Sequence, residues 1–565
     1  MKNFAITSAA MSYLLIMAGG CTPTQYARQA DSAAYGAIQC TQKVFLDKCQ
    51  TFDITYKPFG QTSAGAPIKV GQKTILLGSA DAPVKLTLDE ALEIALRNSR
   101  DFQDRKEQLF ADALAVMNGR QGWEWPQLLG DVTGDAQRTV VNKGPEANIG
   151  AARADPAFLQ RLRDGGLLTF GYALDLATDF TAWKNTSVGS LMDANFTQPL
   201  LRDAWHGFAY EPQYRLERNF VFQVYDYERF TQTFAASIVT RYYRVLEQRD
   251  RLENQASNIQ RLKETFSLTK LLVENGEVSR IQQDQAEQNL LQSEVRYQQN
   301  QQAYRDALDQ FKLLLGLPLS AGVELNYPEA LEELNAAGPL PFPVEEQEAV
   351  QIAFGSRPDV LIQSAQVRDA SRDVELAANN FLPQLDVQLG ISAPGTPPRD
   401  FARTRFDRHT RQARVVFDYD LNQTDNRDTY RLALIAQDRA ARNLSEFLDT
   451  VRLDVRQNYR QLVQSRRSYD LQVQSVEIAK RRRKLAALQQ KEGQASARDV
   501  LEAEEDLRDA QDGLTSALLD YTTTRLQFLA ALGMLYVDDK GAINERKEPA
   551  RFDAIKRCYP YVAQE

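Results

Sequence analysis

Two histidines in 565 residues, His206 and His409, are too few and too far apart for imidazole chemistry or a histidine metal cluster. No metal-spaced Cys/His cluster, phosphate loop or nucleophile motif occurs, so the chain is expected to be no enzyme and to carry no cofactor. Beyond the N-terminus no apolar run reaches about 18 residues, which excludes a transmembrane helix. A closed β-barrel is then the only way to span a membrane. Basic excess is absent as well. The net charge is −8, which argues against nucleic acid as a partner. Disorder is excluded by 43% apolar and 25% charged residues. Glycine and proline are both missing from Gln213 to Asn275 and from Asn426 to Glu492.

Cysteine is scarce, with four in all. The N-terminus reads as an export signal: Lys2 is the only early charge, and Phe4 to Met17 is largely apolar. The run ends in "MAGGC", which resembles a bacterial lipoprotein signal with Cys21 as the acylated first mature residue. An ordinary cleaved signal peptide is the alternative. Export permits one disulfide among Cys40, Cys49 and Cys558. Cys40–Cys49 is the local choice, while a bond to Cys558 would tie the chain ends together.

What is present is a chain written twice. Shifted by 217 residues, Gly276 falls on Gly493, Ser279 on Ser496, Tyr304 on Tyr521, Phe311 on Phe528 and Leu315-Gly316 on Leu532-Gly533. Upstream, Ile238, Val245, Leu252, Ile259, Phe266 and Val273 are seven apart, and the first four map to Val455, Leu462, Tyr469 and Val476. A seven-residue apolar repeat keeps one seam toward a partner helix. A plain amphipathic helix is the alternative, but ordinary helices average three turns. At about 1.5 Å per residue the first long helix spans roughly 95 Å and its return roughly 58 Å. A second short helix, from Leu88 to about Gly122, has the length to cover the remainder. A looser match joins Leu88–Asp101 to Glu346–Asp359, each leading to Pro-Gln-Leu, at Pro126 and at Pro383.

Between the helices the period drops to two. Leu168, Phe170, Tyr172, Leu174 and Leu176 alternate with Thr169, Gly171, Ala173, Asp175 and Ala177. Val188, Met192, Ala194 and Phe196 continue this, opposite Asp193, Asn195 and Thr197. In the second half Leu385, Val387, Leu389 and Ile391 alternate with polar residues, as do Ala413, Val415, Phe417 and Tyr419. These are strands with one greasy and one polar face. A soluble sheet would bury the greasy face on a core; a barrel would turn it to lipid. With little else to cover it, the barrel is expected. Each half needs an even strand count, because both flanking helices lie on one side of the membrane. The first half offers three candidates, including Leu128 to Val140, so one is expected not to span. Leu168–Phe180 paired with Val188–Leu200 is the expected hairpin.

In this order, "LTLDEALEIALRNS", the Pro-Gln-Leu entries, "FTQPLLRDAW" (Phe196–Trp205), the two glycine turns and the two Leu-Gly ends resemble the TolC-like outer membrane efflux protein family from Leu86 to Leu535. The resemblance implies a mainly helical fold with a membrane β-barrel: a homotrimer with four strands per subunit in a shared twelve-stranded barrel, and coiled-coil hairpins forming a periplasmic tunnel. It implies an outer-membrane exit duct for a tripartite efflux pump or a type I secretion system. The partners would be outer-membrane lipid, a periplasmic adaptor and an inner-membrane pump. Gly276, Ser279, Gly493 and Ser496 would form the periplasmic tip turns, with the serines as N-caps. Asp499 and Glu502 match positions of acidic rings that narrow the tunnel exit; a solvated helix face is the alternative. Ala495 stands where some relatives carry a basic residue that locks the closed tip.

The expected organisation is a signal peptide over 1–20 and a lipid-anchored extended segment over 21–85. A first repeat over 86–320, a linker over 321–340, a second repeat over 341–535 and a tail over 536–565 follow. In lipid-anchored relatives the stretch after the cysteine runs from the membrane to the middle of the tunnel. A tail packed beside it would make Cys558 a disulfide partner. The competing reading is a coiled-coil envelope spacer lipoprotein with no pore, for which the alternating segments have no use.

Overall fold

The computed structural model describes residues 23–45, 52–55, 67–70, 73–76, 84–139, 147–179, 186–276, 278–340, 344–394, 408–492, 494–538 and 543–545. Ten helices carry the frame: α1 (Pro23–Phe45), α2 (Leu88–Asn98), α3 (Arg100–Glu124), α4 (Glu211–Glu274), α5 (Arg280–Leu314), α6 (Tyr327–Ala337), α7 (Glu346–Ser356), α8 (Pro358–Asn379), α9 (Thr424–Lys491) and α10 (Ala497–Leu532). Six strands form one antiparallel sheet: β1 (Gln127–Thr139), β2 (Ala147–Arg161), β3 (Leu167–Asp179), β4 (Thr186–Pro199), β5 (Gln384–Pro394) and β6 (Thr410–Asp418).

The gap in glycine and proline becomes helix. α4 runs 64 residues and α9 runs 68, about 100 Å each. Their return helices α5 and α10 have 35 and 36 residues, so each covers only part of its long partner. On α4 the rest is covered by α3, through Leu109, Phe110, Ala113 and Val116 against Phe220, Val221 and Val224. The two-on-one stacking expected from helix lengths is present.

Positions 217 apart take matching places. Ile238, Val245 and Phe311 lie in one buried cluster with Tyr304 packed on it; Val455, Leu462, Tyr521 and Phe528 form another. Burying Phe311 and Phe528 completely contributes on the order of 2–3 kcal/mol each. Toward the tip the buried face of α4 moves from Ile238, Val245 and Leu252 to Leu262, Thr265 and Thr269. A straight 3.6-residue helix drifts off a strict seven-residue seam in this way.

Both halves close on a glycine. Gly316 has φ +71°, and a Cβ there would lie 2.2 Å from the Asn98 carbonyl oxygen. Gly533 has φ +72°, and a Cβ would lie 2.8 Å from the Ser356 carbonyl oxygen. Each return helix thus ends against the joint between two short helices, α2/α3 or α7/α8. Asn98 Nδ2 donates to the Gly316 carbonyl at 2.9 Å. At the second joint Arg357 takes over: it reaches Asp454 of α9 at 2.8 Å and the Ala531 carbonyl at 3.2 Å.

Two expectations need correction. The sheet holds six strands, not four. β1 was in excess only because its partner β2 went unread; the even count holds with four strands in the first half rather than two. β2 carries Ala147, Gly150, Ala151, Ala152, Ala154 and Ala157, with Arg153, Asp155 and Pro156 between. Small residues on both faces give no alternation to read, and its pairing with β1 and β3 supplies the strand. The segment 21–85 does not begin extended: α1 lies on α3, burying Ala34 and Ile38, and Tyr35 meets Phe110 at 5.4 Å. The stretch expected as a linker, 321–340, carries short elements of its own. Val323–Leu325 pairs in parallel with Val84–Leu86, and α6 follows.

Candidate functional site

Two regions stand out: the sheet and the tip. The sheet's registers keep alternation in phase across all six strands. Phe158 faces Phe170, Ala194 faces Phe170 and Ile391, and Leu389 faces Phe196 and Ala413. Paired residues share a face. One face is therefore mainly apolar from Leu128 to Phe417, interrupted by Gln160, Gln198 and Arg411, and its large side chains lie open: Phe158 is 49% exposed, Leu389 49% and Phe417 66%. The opposite face carries Asp131, Thr169, Asp193, Asn195, Gln388 and Arg414. There Arg153 pairs with Asp155 at 2.6 Å, and Asn195 Nδ2 donates to Asp193 at 2.8 Å. The outer strands β1 and β6 each pair on one side only. Among the described residues no helix is long and apolar enough to cross a membrane.

At the far end of the frame α4 stops at Glu274. Gly276, at φ +80°, donates its N–H to the Val273 carbonyl at 3.0 Å. No atom would meet a Cβ there within 4 Å, so the backbone angle alone asks for glycine. Gly493 lies outside the described residues. Its neighbours turn in the same place, with Gln494 and Ala495 donating to the Gln489 carbonyl at 2.8 and 3.2 Å.

The two cap serines behave differently. Ser496 and Asp499 form a full capping box: Asp499 N–H reaches Ser496 Oγ at 3.3 Å, and Ser496 N–H reaches Asp499 Oδ2 at 2.8 Å. Ser279 holds the N-cap position, but its hydroxyl makes no cap bond. The third residue of its helix is Gln282, where the second repeat has Asp499. In one copy Asp499 is thus a capping residue. The Ser496 hydroxyl and N–H hold its carboxyl below the usual carboxylate range. Glu502 accepts from Arg498 at 3.0 Å and lies 3.9 Å from Arg482. Asp499 and Glu502 do not touch each other in one copy; each has a local partner. Cys21 lies outside the described residues. Cys40 is disulfide-bonded, to a partner outside them.

The acidic stretch after them holds a residue that sequence reasoning left as solvated surface. Glu504 is buried between the long helices, bonded to Arg261 of α4 and Arg483 of α9. Nearby, Arg296 of α5 meets Glu505 at 2.6 Å, and Arg482 pairs with Asp506. Arg261–Glu504 and Arg296–Glu505 cross between the repeats and tie the two hairpins together just above the tip, while Arg483–Glu504 and Arg482–Asp506 lie within the second hairpin. Further up the frame, Tyr327 donates to Asp250 at 2.6 Å, and Asn254 bridges Asp250 and Asp512. Burial, with Asp250 adding to it, pushes the Asp512 carboxyl up to about 6. No group of side chains suited to a metal ion occurs among the described residues.

Residues 349–534 match the family described as outer membrane efflux protein. Solved structures share the fold along most of the chain. The CmeC outer membrane channel of Campylobacter jejuni aligns with TM-score 0.59 at 16% identity, covering 89% of this chain and 98% of that one. The MtrE outer membrane channel of Neisseria gonorrhoeae, in its open state, aligns with TM-score 0.57 at 15% identity, covering 79% and 88%. The outer membrane protein VceC of Vibrio cholerae gives TM-score 0.57 at 14% identity, covering 79% and 96%. No curated protein sequence matches the chain.

Proposed function

We propose that this chain, TolC-like in fold and carrying the outer membrane efflux protein pattern in its second repeat, is one subunit of a trimeric outer-membrane channel. The channel gives an exit duct to an inner-membrane pump, through a periplasmic adaptor, or to a type I secretion system. The protein sits in the outer membrane with its helices in the periplasm.

The observation that carries this is the sheet: one mainly apolar face, a polar opposite face, and two edges open in a single copy. In hydrocarbon every backbone donor and acceptor needs a partner, so such a sheet must close on itself. Several copies are needed, because six strands fall short of the eight of a small barrel. A second seam on α9 supports the association. Leu471, Ile478 and Leu485 are seven apart and 57%, 57% and 56% exposed in one copy. In this reading Gly276, Ser279, Gly493 and Ser496 form the tips that meet the adaptor, and Cys21 carries the lipid. Asp499 and Glu502 of three copies narrow the exit. Threefold symmetry would bring those carboxylates together and favour cations.

The test is the native mass of protein extracted by detergent from purified outer membranes. A trimer with an acyl mass at Cys21 is expected. A trimer lacking that mass keeps the channel and removes the lipid anchor. A monomer, or protein found only in the periplasm, overturns the channel in favour of the coiled-coil spacer.

A further inference from the structure

We propose that three copies close edge to edge, β6 of one against β1 of the next, into a single barrel of eighteen strands, half as many again as the twelve that four strands per copy would give. The proposal rests on the channel reading above and goes beyond it in naming the edges, the register and the width of the pore.

The first ground is occupancy. In a barrel of twelve, built from β3 to β6, the next copy's β6 would have to pair with β3. Here β3 is hydrogen-bonded on both sides, to β2 and to β4. The open edge is β1. Direction also fits: β1 leaves the helical frame and β6 returns to it, so the new pair is antiparallel like the others.

The second ground is register. The ladder from Gln127 crosses the sheet through Leu159, Thr169, Asn195 and Gly390 to Gln412. Gln412 lies six residues from Asp418, at the strand end joined to α9. The strand bases are therefore staggered steadily in one direction. Setting Asp418 of one copy beside Gln127 of the next continues that stagger at one residue per strand. With about 3.3 Å per residue and about 4.8 Å between strands, the tilt is about 35°, where closed barrels lie. The same register keeps the apolar faces together, with Phe417 opposite Leu128. It also sets Arg414 of one copy opposite Asp131 of the next, a charge-complementary pair on the polar face.

Width follows from strand number. At this tilt eighteen strands give about 33 Å between opposite backbones, against about 22 Å for twelve. The pore fits solutes bulkier than a twelve-stranded barrel passes.

The experiment is cross-linking of paired cysteines in isolated outer membranes with a short bismaleimide. Asp131→Cys/Arg414→Cys is one variant. Leu128→Cys/Phe417→Cys tests the same register while leaving the charge pair intact. Thr169→Cys/Arg414→Cys reports closure of β6 on β3. Covalent trimers from the first two and none from the third are expected, with the parent protein as control for its native cysteines. Covalent trimers from the third variant would mean twelve strands with the β1–β2 hairpin outside the wall. A native trimer in which none of the three cross-links overturns the edge pairing. A parent protein that is monomeric in the membrane removes the channel reading itself, not only its strand count.

Discussion

Arg261 on the long helix of the first repeat donates its Nε–H to Glu504 on the return helix of the second, at 2.5 Å. Arg483 donates to the other oxygen of the same carboxylate at 3.0 Å. One buried acid thus holds three helices from both repeats. Glu504→Gln keeps the shape and removes the charge, leaving two arginines facing a neutral amide. Loss of a buried partner costs about 3–5 kcal/mol, and the part-exposed arginines reduce that to roughly 2 kcal/mol. Amide exchange in the tip turns is expected to rise about thirtyfold, a factor of ten for each 1.4 kcal/mol. Unchanged exchange there would remove Glu504 from this role.

Asp512 makes the frame respond to pH. Its folded pKa of about 6 stands above the ordinary value of 3.8, chiefly through burial, with Asp250 raising it further and Asn254, Arg251 and Arg508 opposing. A raised carboxyl pKa means the fold binds the proton more tightly than the unfolded chain. Stability from this group is present below about pH 4, falls as pH rises toward 6, and is absent above. Asp512→Asn is expected to stabilise by about 1–2 kcal/mol at pH 7.5, discounted for partial exposure, and to change little at pH 4. Thermal midpoints at both pH values test this; equal shifts at both would show that charge is not the cause.

Asp359 has the opposite sign. Burial raises its pKa, but two hydrogen bonds and the charge of Arg357 outweigh that and hold it below 3.8. Its contribution is present above the unfolded value and lost as pH falls through the folded one. Asp359→Asn is expected to lower stability at neutral pH and to flatten the acid limb of the stability profile below pH 4. An acid limb as steep as that of the parent would count against it.

The glycines separate strain from clash. Gly276→Ala meets open space and costs only its backbone angle, on the order of 1 kcal/mol. Gly316→Ala adds a Cβ 2.2 Å from the Asn98 carbonyl oxygen, so the joint of α2 and α3 has to open. The yield of folded protein is expected to survive the first substitution and to fall severely with the second. Equal yields would mean that the joint yields freely.

The serines make a matched pair. Ser496→Ala removes a capping box and is expected to cost about 1 kcal/mol in the second hairpin. Ser279→Ala removes a hydroxyl with no cap bond and is expected to be near neutral. Exchange of the first-turn amides of α10 and α5 measures both, and equal effects would contradict the difference in caps.

Much of the fold was legible before any coordinates. Glycine- and proline-free stretches gave α4 and α9. The 217-residue shift gave the paired cores of Phe311 and Phe528, and period two gave β3 to β6. Each is a local signal: helix length, helix period and strand alternation are written in neighbouring residues. The strand β2 was not legible, because alanines and glycines on both faces suit either environment. Neither was Glu504, one of four acids within Glu502–Asp506, since only packing tells a buried carboxylate from a solvated one.

The sequence by itself determined the lengths of the helices, the positions of the turns and the two-faced character of most strands. These depend on backbone propensity and on the spacing of apolar residues along one segment. Tertiary structure alone decided how many strands share the sheet, which edges remain open and which acid of the run meets two arginines. Hydrogen-bond register and charge pairing join residues outside any one local segment, as Pro199 to Asp386 and Arg261 to Glu504, and no local pattern encodes which partner each residue meets.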